Sequence, residues 1–225
     1  MYKYIFFDLD GTLTQSEFGI INSIIYALNS MGIEVDDPQS VKRFIGPPLI
    51  LAFKDFYGMS DEDAEKAARF YRERYNEGEM FNAPLYEGIE NALKSLKDNG
   101  CRLYVVTSKP AVFARKIVEH FDIMKYFEAI IGPDLGDKSY SKAELVARAI
   151  SEAGESENRN DSYTVSDFVM IGDRFYDIEG AVANDIDSIG VLYGYGNRKE
   201  LEDAGATHIA ETAGDIVRIC IPDQH

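Results

Sequence analysis

The sequence predicts an α/β fold, a doubly wound parallel (Rossmann-like) sheet with an inserted α-helical cap. Three observations carry that expectation. The run Tyr4-Ile5-Phe6-Phe7 is apolar on both faces, the mark of a central parallel strand. Strand-like and helix-like segments alternate after Pro84, which implies right-handed βαβ units. Between Glu17 and Asn82 the periodicity is helical throughout, which sets that stretch apart as an insert.

The elements follow in order. "YKYIFFDLD" reads as the first strand. From Glu17 to Met31, Phe18, Ile21, Ile24, Ile25, Leu28 and Met31 recur at helical spacing. Further helices are expected over Pro38 to Phe44, Pro47 to Tyr57 and Asp61 to Asn76, the last opened by Ser60 and Asp63 as a capping pair. A helix near Glu87 to Asp98 stops at Asn99-Gly100. Then come "CRLYVVTSK" as strand, "PAVFARKIVEHF" as helix, "FEAIIG" as strand and "SKAELVARAISEAG" as helix. "SDFVMIGD" is strand, "YDIEGAVAND" helix, "SIGVLYG" strand, and a short strand at "THIA" precedes a final helix. The polar run Glu155 to Ser162 reads as a surface loop. The core is thus assigned to residues 1–15 and 84–225, and the cap to 16–83.

At 225 residues, 45% hydrophobic and 28% charged, the chain is ordinary globular material with ample core. It holds no apolar stretch of the roughly 20 residues that a bilayer requires, and its start lacks a signal-peptide pattern. Two cysteines, Cys101 and Cys220, form no metal motif; a reduced, half-buried thiol and a cytosolic location are expected. A net charge of −16 argues against nucleic acid and anionic membrane as partners. An anionic substrate would therefore need a local cation.

In doubly wound sheets, ligands bind beyond the carboxyl ends of the strands. Four features fall there: Asp8 and Asp10, Thr107-Ser108-Lys109, the loop leading to Lys142, and "GDRFYD" with Asp173 and Asp177. Positions two apart on a strand face the same way, so Asp8 and Asp10 would share one site. Asp10-Gly11 alone is ordinary turn chemistry. That reading leaves Asp8 and the second acidic pair unexplained, since buried paired carboxylates are costly without a cation. Four carboxylates from two strand ends form an oxygen-rich site suited to Mg²⁺. Zn²⁺ fits poorly, because His120, His208 and His225 lie outside these motifs. Thr107 and Ser108 add hydroxyl and backbone donors, and Lys142 a positive charge. Together they describe a phosphoryl site.

"DLDGT", "VVTSK", a lysine before a helix, and "GDRFYD" resemble the four motifs of the haloacid dehalogenase-like phosphohydrolases, in their order and over essentially the whole chain. "DLDGTLT" with "FIGPPL" resembles the phosphoglycolate phosphatase group, whose neighbours include pyrophosphatases and 5′-nucleotidase-like enzymes. The resemblance implies a cytoplasmic, Mg²⁺-dependent hydrolase of a small phosphorylated metabolite, monomeric or homodimeric. It implies Asp8 as the nucleophile that becomes an aspartyl phosphate, and Asp10 as general acid and then base. Thr107, Ser108 and Lys142 would bind the phosphoryl group. The metal would take Asp8, Asp10 through its backbone carbonyl, and Asp173. Asp177 would bind it directly or through water, or orient Lys142. Gly11 would leave room for the phosphate. Many relatives carry an acid where this chain has Gln15, at the entry to the cap.

Other residues stay open. Arg43 beside Phe44-Ile45-Gly46-Pro47-Pro48 would meet a substrate anion or, more simply, lie solvated on a helix end. Tyr71 and Tyr75 suit packing. Arg174 would neutralise the acids or face solvent. Lys109 would be a second positive group or a solvent-facing neighbour of Pro110. Of Lys138 and Lys142, the capping-box spacing of Ser141 and Glu144 makes Lys142 the first helical residue, where a cation opposes the helix dipole unless function requires it. A phosphomutase, or more remotely a non-enzymatic phospho-acceptor module, would use similar residues.

Overall fold

The computed structural model describes residues 1–135, 140–155 and 163–222. The chain forms two compact units, one of Met1–Thr14 with Leu85–His225 and one of Gln15–Pro84.

The first unit is built on β1 (Tyr4–Phe7), β2 (Arg102–Val106), β3 (Phe127–Ile131), β4 (Phe168–Gly172), β5 (Asp187–Val191) and β6 (His208–Ala210). All pairings are parallel, in the order β3-β2-β1-β4-β5-β6. The winding reverses between β1 and β4, the switch point where doubly wound sheets bind ligands. All four residues of β1 are fully buried, as an apolar run with no polar face requires. Alternation then divides its side chains. Tyr4 and Phe6 join Tyr104, Val106, Phe168 and Met170 in a core with Leu145, Val146 and Ala149. Those last three come from α6 (Lys142–Glu155), which packs beside α7 (Phe175–Val182). α4 (Ile89–Asp98) and α9 (Ala213–Cys220) pack together, and α5 (Ala111–His120) lies against β3. Register fixes the strand ends: Phe7 pairs with Val105 and with Ile171. Asp8 therefore leaves the sheet at the switch point, its N–H donating to the Ile171 carbonyl at 2.9 Å.

The second unit holds α1 (Glu17–Ser30), α2 (Leu49–Tyr57) and α3 (Asp61–Asn76), with α1 and α2 both against α3. Ile20, Ile24 and Leu28 of α1 and Ala64, Ala67 and Ala68 of α3 are buried. The Asp63 N–H donates to Ser60 Oγ at 3.1 Å, which caps α3. The crossings between the units are paired on both sides. Gln15 N–H donates to the Pro84 carbonyl at 2.8 Å, and Tyr86 N–H to the Leu13 carbonyl at 3.1 Å.

Pro38–Phe44, expected as helical, is a helix of the 3₁₀ kind. It is short, and Pro47 and Pro48 lack the N–H groups that would continue an α ladder. The same prolines delay α2 to Leu49, with the Ala52 N–H bonded to the Pro48 carbonyl at 3.0 Å. A short helix, α8 (Arg198–Asp203), was not expected; Asn197 caps it through the Glu200 N–H at 3.1 Å. Most of the polar run Glu155 to Ser162 lies outside the described residues. Among the described residues, no helix is long and apolar enough to cross a membrane.

Candidate active site

Lys142 is the organising group. Ser141 and Glu144 form the expected capping box: Glu144 N–H donates to Ser141 Oγ at 3.2 Å, and Ser141 N–H to Glu144 Oε2 at 2.7 Å. Lys142 is thereby the first residue of α6, and it is buried. Its Nζ donates to Asp8 Oδ1 at 2.8 Å, to the Val106 carbonyl at 3.0 Å, and pairs with Asp177 Oδ1 at 2.7 Å. Those contacts join the ends of β1 and β2 to the first turn of α7. The other Asp177 oxygen accepts the Arg174 N–H at 3.2 Å.

Asp173, just beyond β4, is fully buried. Its Oδ2 accepts the Tyr195 N–H at 2.7 Å and its Oδ1 the Thr12 hydroxyl at 3.4 Å. Two glycines make room for it. Gly11 has φ +86°, and a Cβ there would stand 2.3 Å from Asp173 Oδ2. The Asp173 carboxylate, at the end of β4, occupies the space where that Cβ would stand. A Cβ on Gly194 would stand 2.3 Å from both the Asp173 Cβ and the Gly11 carbonyl oxygen. Beside it, the Tyr193 hydroxyl donates to the Thr12 carbonyl at 3.1 Å, and its ring lies 4.7 Å from that of Tyr86. Burial, then the nearby Asp173 charge, pushes the Tyr193 hydroxyl far up.

Asp10 sits on the turn after β1, where Leu13 and Thr14 N–H groups both donate to the Leu9 carbonyl. Its Oδ2 pairs with Lys109 Nζ at 2.8 Å, whereas its Oδ1 is buried with no hydrogen-bond partner among the described residues. The Lys109 side chain is 7% exposed, so it is the second positive group and not a solvent-facing neighbour of Pro110. Thr107 is buried at the end of β2, its Oγ1 accepting the Lys109 N–H at 3.2 Å; Ser108 is exposed.

Carboxylate oxygens of Asp8, Asp173 and Asp177 come within 4.8 Å of one another. Against these three acids stands the ammonium of Lys142, which pairs with Asp8 and Asp177. The consequences show in their acidities. Burial, then Asp177 and Asp8, pushes the Asp173 carboxyl well above the usual carboxylate range. Burial also raises Asp177 to about 6, opposed by Lys142. Burial works to lower Lys142, but Asp177 and Asp8 outweigh it and hold the ammonium far above its usual range. An all-oxygen set with surplus negative charge fits a hard divalent cation, with no histidine or thiolate to favour Zn²⁺.

The haloacid dehalogenase-like hydrolase family model matches residues 5–191. The chain belongs to that family. Relatives of this hydrolase include a 5′-nucleotidase of Pseudomonas aeruginosa, 39% identical over 92% of this chain and 90% of that protein. Another is the tyrosine-protein kinase PtkA of Mycobacterium tuberculosis, 34% identical over 94% of this chain and 69% of that protein. A solved structure from Clostridium acetobutylicum, described as a predicted phosphatase, superposes with a TM-score of 0.89 at 41% identity, covering 97% and 98% of the two chains. This haloacid dehalogenase-like hydrolase is a phosphatase, a phosphoric monoester hydrolase with the family's α/β fold.

Within the hydrolase, the structure brings Asp8, Asp173, Asp177 and Lys142 together, with Asp10 and Thr107 on the adjoining strand ends. Lys138 lies outside the described residues. Arg174 pairs with Glu200 at 2.7 Å, and its charge also works to lower the Asp173 carboxyl, in line with the expectation that it neutralises the acids. Arg43, in the Gln15–Pro84 unit, is exposed in the last turn of its helix, as the simpler expectation had it, and lays its guanidinium over the Phe56 ring at 4.5 Å. Tyr71 and Tyr75 stack at 5.3 Å, as packing residues. Cys101 is buried rather than half-buried, its thiol donating to the Tyr2 carbonyl at 3.4 Å. Sequence reasoning missed Thr12, Tyr193, Gly194 and Tyr195. The signal available was "GYGN" directly after a strand, two glycines flanking an aromatic residue at a carboxyl end.

Proposed function

We propose that the chain hydrolyses a small phosphomonoester through an aspartyl phosphate on Asp8. The observation that carries this is the Lys142 ammonium held between Asp8 and Asp177 at the switch point of the sheet. Asp8 is the nucleophile: its free carboxylate oxygen bonds to phosphorus as the ester P–O bond breaks. Asp10 gives its proton to the departing oxygen, then takes one from the water that cleaves the aspartyl phosphate. Lys142 neutralises charge on the phosphoryl oxygens without reorganising, and the buried Thr107 offers them a hydroxyl. Asp8, Asp173 and Asp177, with the Asp10 carbonyl, would hold Mg²⁺. When bound, the ion supplies charge neutralisation at the phosphoryl oxygens and orients them for in-line displacement. Substrate selection is assigned to the Gln15–Pro84 unit, the helical insert after the first strand.

Phosphoglycolate-like substrates are the first expectation. A nucleoside monophosphate is the second, favoured by the 39%-identical relative named a 5′-nucleotidase. A screen over phosphoglycolate, pyrophosphate, nucleoside monophosphates, sugar phosphates and phosphotyrosine, with and without Mg²⁺, separates these, and a sugar-phosphate isomer assay separates a mutase. Asp8→Asn should abolish turnover with the fold intact. Beryllofluoride with Mg²⁺ should raise the melting temperature of the wild type but not of this variant. Full activity in Asp8→Asn would sink the proposal.

A further inference from the structure

We infer that Lys109 is a positioning residue for Asp10, holding one carboxylate oxygen so that the other is presented for proton transfer. The inference rests on the acid–base reading of Asp10 given above. Lys109 Nζ pairs with Asp10 Oδ2 at 2.8 Å, and the lysine side chain is less exposed than that of its partner, 7% against 17%. Asp10 Oδ1 is buried with no hydrogen-bond partner among the described residues. A buried carboxylate oxygen left unpartnered is costly and calls for an explanation beyond packing. The lysine is itself fixed at its backbone. Its N–H donates to Thr107 Oγ1 at 3.2 Å, and its carbonyl lies 2.6 Å from where a Cβ on Gly132 would be. The ends of β1, β2 and β3 thus converge on one ion pair. A carboxylate free to rotate would exchange its two oxygens; an ammonium on Oδ2 prevents that and leaves Oδ1 as the working atom.

In the first step the Oδ1–H bond breaks and the proton goes to the leaving oxygen, which also keeps the electron pair of the broken P–O bond. In the second, a water proton goes to Oδ1, the water oxygen bonds to phosphorus, and the Asp8–phosphorus bond breaks to return the carboxylate. Lys109 itself exchanges no proton.

An alkyl ester needs its leaving oxygen protonated; a p-nitrophenyl ester departs as a stable anion. The test compares kcat/KM for p-nitrophenyl phosphate and for the best alkyl phosphate with Mg²⁺ present, in wild type, Lys109→Met, Lys109→Arg and Asp10→Asn. Misplacing a general acid should lower the alkyl-to-aryl ratio in Lys109→Met by about 10²-fold, and Lys109→Arg should recover most of it. Asp10→Asn should show the same loss of ratio. Equal losses on both esters, or none, in Lys109→Met would overturn the inference while Asp10→Asn keeps its selective loss. An unchanged ratio in Asp10→Asn would overturn the acid–base reading itself, and the inference with it.

Discussion

Among single residues, Lys142 has most to lose. It is a buried ammonium at a helix N-terminus, where the dipole opposes it, and three acceptors at 2.7 to 3.0 Å compensate. Replacing it with methionine keeps the bulk and strands two buried carboxylates. Breaking such a pair costs about 3–5 kcal/mol, so urea unfolding of metal-free Lys142→Met should show a drop of that order. Its kcat/KM should fall on the order of 10²-fold or more, as for loss of a preorganised donor. A stable, active variant would remove Lys142 from the centre of the site. The acids set the pH behaviour. Asp173 and Asp177 are both raised above their ordinary 3.8, Asp177 to about 6, so the folded state retains protons that the unfolded state has released. Such groups contribute least to stability above their folded values and regain it as pH falls toward their unfolded ones. Metal-free wild type should therefore lose stability as pH rises from about 4 through about 6 and above, and Asp173→Asn should lose less. Calorimetry over that range compares them; identical slopes would show that burial and the neighbouring acids do not raise the Asp173 carboxyl.

The segment after β5 behaves as part of the site although it carries no acid. Its backbone reaches Asp173 through the Tyr195 N–H, and Gly194 permits the approach. Gly194→Ala puts a methyl group 2.3 Å from the Asp173 Cβ and from a backbone oxygen, so Asp173 must move. We expect Mg²⁺ affinity, measured by isothermal titration, to weaken at least about tenfold, because an outer-shell displacement of this kind typically costs 10–100-fold. Unchanged affinity would mean that the strand end flexes freely. This segment also marks the limit of what the sequence discloses. Asp8, Asp10, Asp173, Asp177 and Lys142 were legible because titratable side chains at strand ends announce themselves. The six strands were legible too, since most are short, largely apolar runs that alternate with helical segments. What could not be read was contact made by backbone: the Tyr195 N–H and the room left by Gly194 depend on how β5 sits beside β4. The fates of Lys109 and Arg43 were undecided for a similar reason, since a long cation reports its partner only in space.

Across the whole molecule, the site gathers residues from position 8 to position 195 within one compact unit, while Gln15–Pro84 has its own core. Mg²⁺ that binds only the folded site should stabilise that unit by about 2.7 kcal/mol at a hundredfold excess over Kd. Hydrogen exchange should then slow at residues 8–14, 172–177 and 193–196, and much less in α1 and α3. Uniform protection of both units would show that they unfold together. The winding order has a further consequence, for synthesis. β1 precedes every other strand in the chain yet lies in the middle of the sheet, so it leaves the ribosome well before β2 and far before β4. Until then four consecutive apolar residues wait without neighbours, a segment of the kind that recruits other chains. The charges that flank it, Lys3 on one side and Asp8 and Asp10 on the other, repel such encounters. Refolding of Asp8→Asn should accordingly yield less monomer than wild type as protein concentration rises, a loss that light scattering would register before any native site exists.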